Sequence, residues 1–128
     1  MVKFLLDSSV CVDLLRGRAN TSPLPKRGEA AISSIVAAEL WAGAEESGRA
    51  TATAMLEEFL TLIPVLDFDQ TAARHYGDIR ADLEKRGTPI GPLDLLIAAH
   101  ARSLGACVLT GNVAVFKRVQ GLKVVVWK

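Results

Sequence analysis

The stretch "GPLDLLIAAHARS", residues 91–103, decides how the chain is read. Leu93, Leu96, Ile97, His100, Ala101 and Leu104 recur at the three-and-four spacing of a buried helical stripe. Pro92 suits the first turn of such a helix, where its missing N–H costs nothing. The spacing predicts a helix over about 93–104, with Asp94 in its first turn. A carboxylate there faces the positive end of the helix dipole and contributes a few tenths to about 1 kcal/mol. Alone, Asp94 is an ordinary first-turn acid. Only residues placed beside it would give it chemistry.

The pattern on either side of this helix sets the fold class. "KFLLD" (3–7) reads as a buried strand ending in a carboxylate, followed by a helix over 8–17 with Ser8 or Ser9 as cap and Gly17 as stop. Residues 18–28, with two prolines, Asn, Ser and charges, read as a loop. A strand over 30–34 leads to helices over 35–47 and 50–62, and a strand over 63–67 follows. The next helix, 69–87, is capped by Asp69, carries the stripe Ala72, His75, Tyr76, Ile79 and Leu83, and ends at Gly87. After the 93–104 helix come a strand over 106–110, a short helix around 112–118 and a last strand over 123–127. Strands alternate with helices, and several strands are apolar on both faces. The class is α/β: a mostly parallel sheet of four to five strands with helices on both faces. No internal boundary or repeat interrupts it, so 1–128 is expected to be a single domain.

Composition narrows the setting. The chain has 128 residues, half of them hydrophobic, enough for a sizeable core. Its two cysteines, Cys11 and Cys107, form no metal-finger or CxxC pattern and are expected to be buried, reduced thiols. Asp7 cuts the apolar opening too early for a secretory signal, and no run is long enough to span a membrane. The expected setting is the cytoplasm. A net charge of +1 neither demands nor excludes nucleic acid. Lys85, Arg86, Arg102, Lys117 and Arg118 are read as either a basic rim or solvated helix faces.

In open α/β sheets, sites form beyond the carboxyl ends of the strands. Asp7 ends the first strand, Glu39 lies about one turn into the helix after the second, and Asn112 follows the fourth through "TGN". Asp94 opens the helix before the fourth strand. Each has a plain structural role available: Asp7 a helix cap, Glu39 a solvated helix residue, Asn112 a turn residue. Together they matter more, because carboxylates brought close repel unless a proton or cation lies between them. Oxygen-only donors suit a hard ion such as Mg²⁺ or Mn²⁺, which can polarise a phosphate and generate hydroxide from bound water.

Four segments carry a family resemblance: "FLLDSSV" (4–10), "ISSIVAAELWAGAE" (32–45), "GTPIGPLDLLIAAHARS" (87–103) and "VLTGNVAVFKRV" (108–119). In order and spacing they resemble the PIN domain and, more narrowly, the VapC toxins of bacterial VapBC toxin–antitoxin pairs. The resemblance runs from residue 4 to about 122. It implies a PIN-like three-layer sandwich and a metal-dependent endoribonuclease. The acids matching Asp7, Glu39 and Asp94 would bind Mg²⁺ or Mn²⁺, with Asn112 in the catalytic set and Ser9 and Thr110 in support. The implied substrate is structured RNA such as tRNA or rRNA. The implied partners are a VapB antitoxin and a second copy of the chain, with DNA reached only through the antitoxin and no membrane. The chain departs from the family at Val115, where relatives usually carry Asp or Glu. One fewer negative charge should weaken a second metal ion most. It also leaves an alternative: a degenerate PIN domain that binds RNA or a partner without cutting.

Further residues have expected roles. His75 and His100 sit on apolar stripes and are read as core histidines. Trp41 is read as a core or interface residue. Val10, Val12, Leu14 and Leu15, with Ala54, Met55, Leu56, Phe59 and Leu60, offer more apolar helix surface than a small sheet needs, and part of it would suit a partner helix. A phosphorelay receiver could place Asp67 and Thr110 similarly, but it needs paired acids after the first strand, where Ser8 and Ser9 follow Asp7.

Overall fold

The computed structural model describes residues 2–17 and 23–128. Part of the expected 18–28 loop, residues 18–22, lies outside the described residues. Five strands and six helices alternate among the described residues: β1 (Phe4–Leu6), α1 (Ser8–Arg16), β2 (Ala30–Ser33), α2 (Ser34–Ser47), α3 (Ala50–Leu62), β3 (Val65–Leu66), α4 (Gln70–Lys85), α5 (Pro92–Leu104), β4 (Cys107–Thr110), α6 (Val113–Phe116) and β5 (Lys123–Val126). All strand pairs are parallel, in the order β3-β2-β1-β4-β5. The expected α/β class and strand number hold.

The central strands are apolar on both faces because helices cover both. Leu5, Leu6, Ala31, Ile32, Val108 and Leu109 are buried. The chain moves outward through β2 and β3 on one side of β1, then returns after α4 and α5 to place β4 on the other. β1 and β4 therefore flank the switch point, the usual crevice for ligands in an open parallel sheet. Register aligns their ends. Leu6 pairs with Leu109, so Asp7 and Thr110 come level one step later.

Two local expectations are corrected. The cap of α1 is Asp7, not Ser8 or Ser9: its backbone is extended and its side chain accepts from the Ser8 N–H. In α5, Leu93 and Leu104 are 46% and 44% exposed, while Leu95, Ala98 and Ala99 join the buried set. The helix lies between the sheet and α4, so its middle is buried nearly all round, and an apolar sequence carries no phase. Element ends otherwise shift by a few residues. β3 is the shortest strand, an edge strand preceded by Pro64, which has no N–H to give.

The cap of α4 is Asp69, which accepts from the Ala72 N–H at 2.9 Å. Trp41 is half-buried against the core. Cys11 is buried, and burial together with the Asp7 charge pushes its thiol up to about 12; Cys107 is half-buried, less hidden than expected, and both are free.

Candidate functional site

Asp7 is buried just past β1, and both its oxygens are held. Oδ1 accepts from the Ser8 N–H at 2.7 Å. Oδ2 accepts from the Thr110 hydroxyl at 2.7 Å and the Ser9 hydroxyl at 3.2 Å. Thr110 is itself oriented, because its Oγ1 accepts from the Asn112 N–H at 2.9 Å. The end of β4 and the start of α1 thus fix one carboxylate from two sides. Ser9 and Thr110, the two residues expected in support, both donate to this carboxylate.

Glu39 lies in α2 and Asp94 in the first turn of α5. Glu39 is half-buried, and its Oε1 is enclosed without a hydrogen-bond partner. Burial raises its carboxyl pKa, and the charges of Asp7 and then Asp94 raise it further. Burial also raises Asp94, with Asp7 adding to the effect. The three acids, drawn from three separate elements, therefore share one electrostatic field. Among the described residues no three His, Cys, Asp or Glu side chains are grouped closely enough to hold a metal ion. Like charges hold carboxylates apart, and a cation between them is what draws them in. The donor set fits a hard divalent ion: every candidate atom is oxygen, and Glu39 Oε1 is an acceptor enclosed with nothing to accept from.

Asn112 joins the site through its backbone. It is exposed at the start of α6, and its side chain makes no cap hydrogen bond. Val115 is half-buried within α6 and brings no charge to this edge.

The other candidates are absorbed by structure. His75 Nδ1 accepts from Arg102 Nε at 2.9 Å, and His100 Nδ1 lies 2.8 Å from the Ser33 hydroxyl. Asp67 is exposed at the edge strand, and Thr110 is bonded to Asp7, so the receiver arrangement does not form. Of the basic residues, Arg102 is spent on Asp78, His75 and the Gln120 carbonyl. Arg86 holds Asp82 and the Arg118 carbonyl, and Arg118 holds the Pro89 carbonyl. Lys85 and Lys117 are exposed. These five are not one free basic rim.

The apolar helix surface forms a cleft of about 250 Å³ between α1, α2 and α3, lined in part by Val12, Leu15, Leu40, Met55 and Leu56. Glu39 lines it too, so the cleft reaches one of the three acids. Val10, expected on this surface, is fully buried in the core. Leu14 and Phe59 line a neighbouring hollow with Leu24 and Leu62.

A PIN-domain family profile matches residues 4–122. Over 99% of both chains, the sequence is 41% identical to a Shigella flexneri protein named tRNA(fMet)-specific endonuclease VapC. It is 36% identical to ribonuclease VapC2 of Haemophilus influenzae, again over 99% of both chains. Among solved structures, DNA-bound VapBC from Salmonella typhimurium superposes with a TM-score of 0.89, at 37% identity over 98% of each chain. VapBC2 from Rickettsia felis, bound to a promoter DNA fragment, gives 0.87 at 31% identity over the whole of both chains.

Proposed function

Because the chain belongs to the PIN-domain family, and within it to the VapC ribonucleases, we propose that its three-acid edge is the metal site of a Mg²⁺- or Mn²⁺-dependent endoribonuclease. The observation that supports this reading is that Asp7 and Asp94 both raise the Glu39 carboxyl pKa while Glu39 Oε1 is buried and unpartnered. Asp7, Glu39 and Asp94 would hold the ion. When bound, such an ion polarises a phosphate and supplies hydroxide at neutral pH.

The chain's own residues do the rest. Ser8, Ser9 and Thr110 lock the Asp7 carboxylate in one orientation. Asn112 stands one turn from that lock with an uncharged side chain facing solvent, available to a substrate oxygen. Val115 leaves the set one acid short, so one ion is held firmly and a second weakly or only with RNA bound.

The substrate proposed is structured RNA, tRNA first and rRNA second, consistent with the tRNA(fMet)-specific relative. The partner proposed is a VapB antitoxin whose apolar helix fills the α1–α2–α3 cleft and reaches Glu39. Both VapBC neighbours were solved on DNA, which suits a toxin that meets DNA only through its antitoxin. A cytoplasmic homodimer completes the proposal.

The test is cleavage of total bacterial RNA by the purified protein with Mg²⁺ or Mn²⁺, mapping 5′-phosphate ends, beside Asp94→Asn. Discrete metal-dependent cuts lost in the variant are expected. Wild-type cutting by a folded Asp94→Asn protein would refute the site. No cutting by either would favour the binding-only alternative that Val115 suggests.

A further inference from the structure

Resting on that reading, a second question concerns what sets the distance between Glu39 and Asp94. They ride on α2 and α5, which are far apart in sequence and adjacent in space. The two helices share one buried polar contact. His100, on α5, places Nδ1 2.8 Å from the hydroxyl of Ser33, the cap of α2. Both residues are essentially inaccessible to solvent. Ser33 Oγ also accepts from the Ile35 N–H at 3.1 Å, so the atom that meets His100 is the one that starts α2. The Phe68 ring meets the imidazole edge-on, with centroids 5.6 Å apart.

The spacing is symmetrical. Glu39 lies six residues beyond Ser33, and His100 six beyond Asp94. The start of α2 therefore touches α5 at His100, and Glu39, further along α2, feels the charge of Asp94 in the first turn of α5. On each helix the acid lies six residues, about 9 Å along the axis at 1.5 Å per residue, from the polar contact. The residues buried on α2 and, apart from His100, on α5 are apolar, and apolar contacts permit sliding that a hydrogen bond between two buried groups does not.

We propose that His100 is a positioning residue: its hydrogen bond to Ser33 fixes α5 against α2, and so sets the separation of Asp94 and Glu39. A shift of about 1 Å in such a constellation is enough to cost roughly 100-fold in function. His100 touches no substrate in this account. It acts only through the two helices.

The test combines a metal-free and a metal-bound measurement on His100→Phe, which keeps a ring against Phe68 and removes the polar contact, and on His100→Asn, which restores a polar atom near the Nδ1 position. Backbone amide shifts are recorded by NMR without metal, and Mn²⁺ affinity by calorimetry. In His100→Phe the Glu39 and Asp94 amides should move and Mn²⁺ affinity should fall at least tenfold. His100→Asn should recover most of that affinity. Should His100→Phe not fold, Ser33→Ala carries the same expectation. Ser33→Ala combined with His100→Phe should lose no more affinity than Ser33→Ala alone, because the contact to His100 is already broken there. Unmoved amides, or moved amides with wild-type affinity, would overturn the proposal, even if the melting temperature fell. Amides that move in a protein whose wild type binds no Mn²⁺ would uphold the positioning and refute the metal site. If neither responds, both fall.

Discussion

Replacing Glu39 with Gln should make the metal-free protein more stable and the enzyme inactive. The reasoning starts from one atom. Glu39 Oε1 is enclosed with no donor, and Asp7 and Asp94 oppose its charge. A buried acceptor left unpaired costs about 1–3 kcal/mol, and the partial exposure of Glu39 reduces that to about 1 kcal/mol. Gln keeps the shape, removes the repulsion and can turn an amide N–H toward its acidic neighbours. For a chain of this size 1 kcal/mol corresponds to about 4 °C in Tm. Differential scanning calorimetry in EDTA should therefore show Glu39→Gln melting a few degrees above wild type. Mn²⁺ should reverse the order. At 100 times its Kd an ion adds about 2.7 kcal/mol to the wild type, and the variant should gain less than half of that. RNA cleavage by the variant should fall at least 100-fold. A Glu39→Gln protein that melts below wild type in EDTA, yet gains as much from Mn²⁺, would refute the argument. Glu39 would then be a structural carboxylate outside the metal site.

Three further outcomes are expected. Val115→Glu should add a second Mn²⁺ site in calorimetry without RNA, where the wild type shows one; two tight sites in the wild type would contradict the assigned cost of the missing acid. Thr110→Val removes a buried donor to the Asp7 carboxylate and strands the Asn112 N–H, so urea unfolding should show a loss of about 2 kcal/mol with little change in m. Burial holds the His100 imidazole below its ordinary value, so the folded chain keeps it neutral where the unfolded chain begins to protonate. Its contribution is therefore present above about pH 6.5 and lost as pH falls through the lower folded value, and the stability of wild type relative to His100→Phe should decline over that window.

The fold was legible because its strands and helices differ in period and are punctuated. Asp69, Gly17 and Gly87 mark helix ends that the structure keeps, both glycines in the left-handed region. What periodicity could not supply was phase in α5. A helix buried on most sides is apolar on most sides, and Leu93 and Leu95 look alike until the neighbours are known. The α1 cap was misassigned for a related reason. Asp, Ser and Ser in a row are all good caps, and only the extended backbone at Asp7 separates them.

The candidate site was legible in a different way, through where acids fall relative to strand ends. That argument brings Asp7, Glu39 and Asp94 toward one edge because parallel strands present their carboxyl ends there, and in the structure the charges of Asp7 and Asp94 act on Glu39. It could not show that Thr110 would be the residue pinning Asp7, because that contact depends on the β1/β4 register, a fact about two segments a hundred residues apart. The same limit hid the Ser33–His100 bond. Ser33 read as one of two serines before a helix, and His100 as a polar interruption of a core stripe. Each is ordinary alone. Their partnership exists because α2 and α5 pack together in the fold, which brings the start of α2 onto His100. The candidate acids are announced by their charge and by where the chain meets the strand edge. The residues that hold them apart by the right distance are small, buried and locally unremarkable, and only the packed fold brings them together.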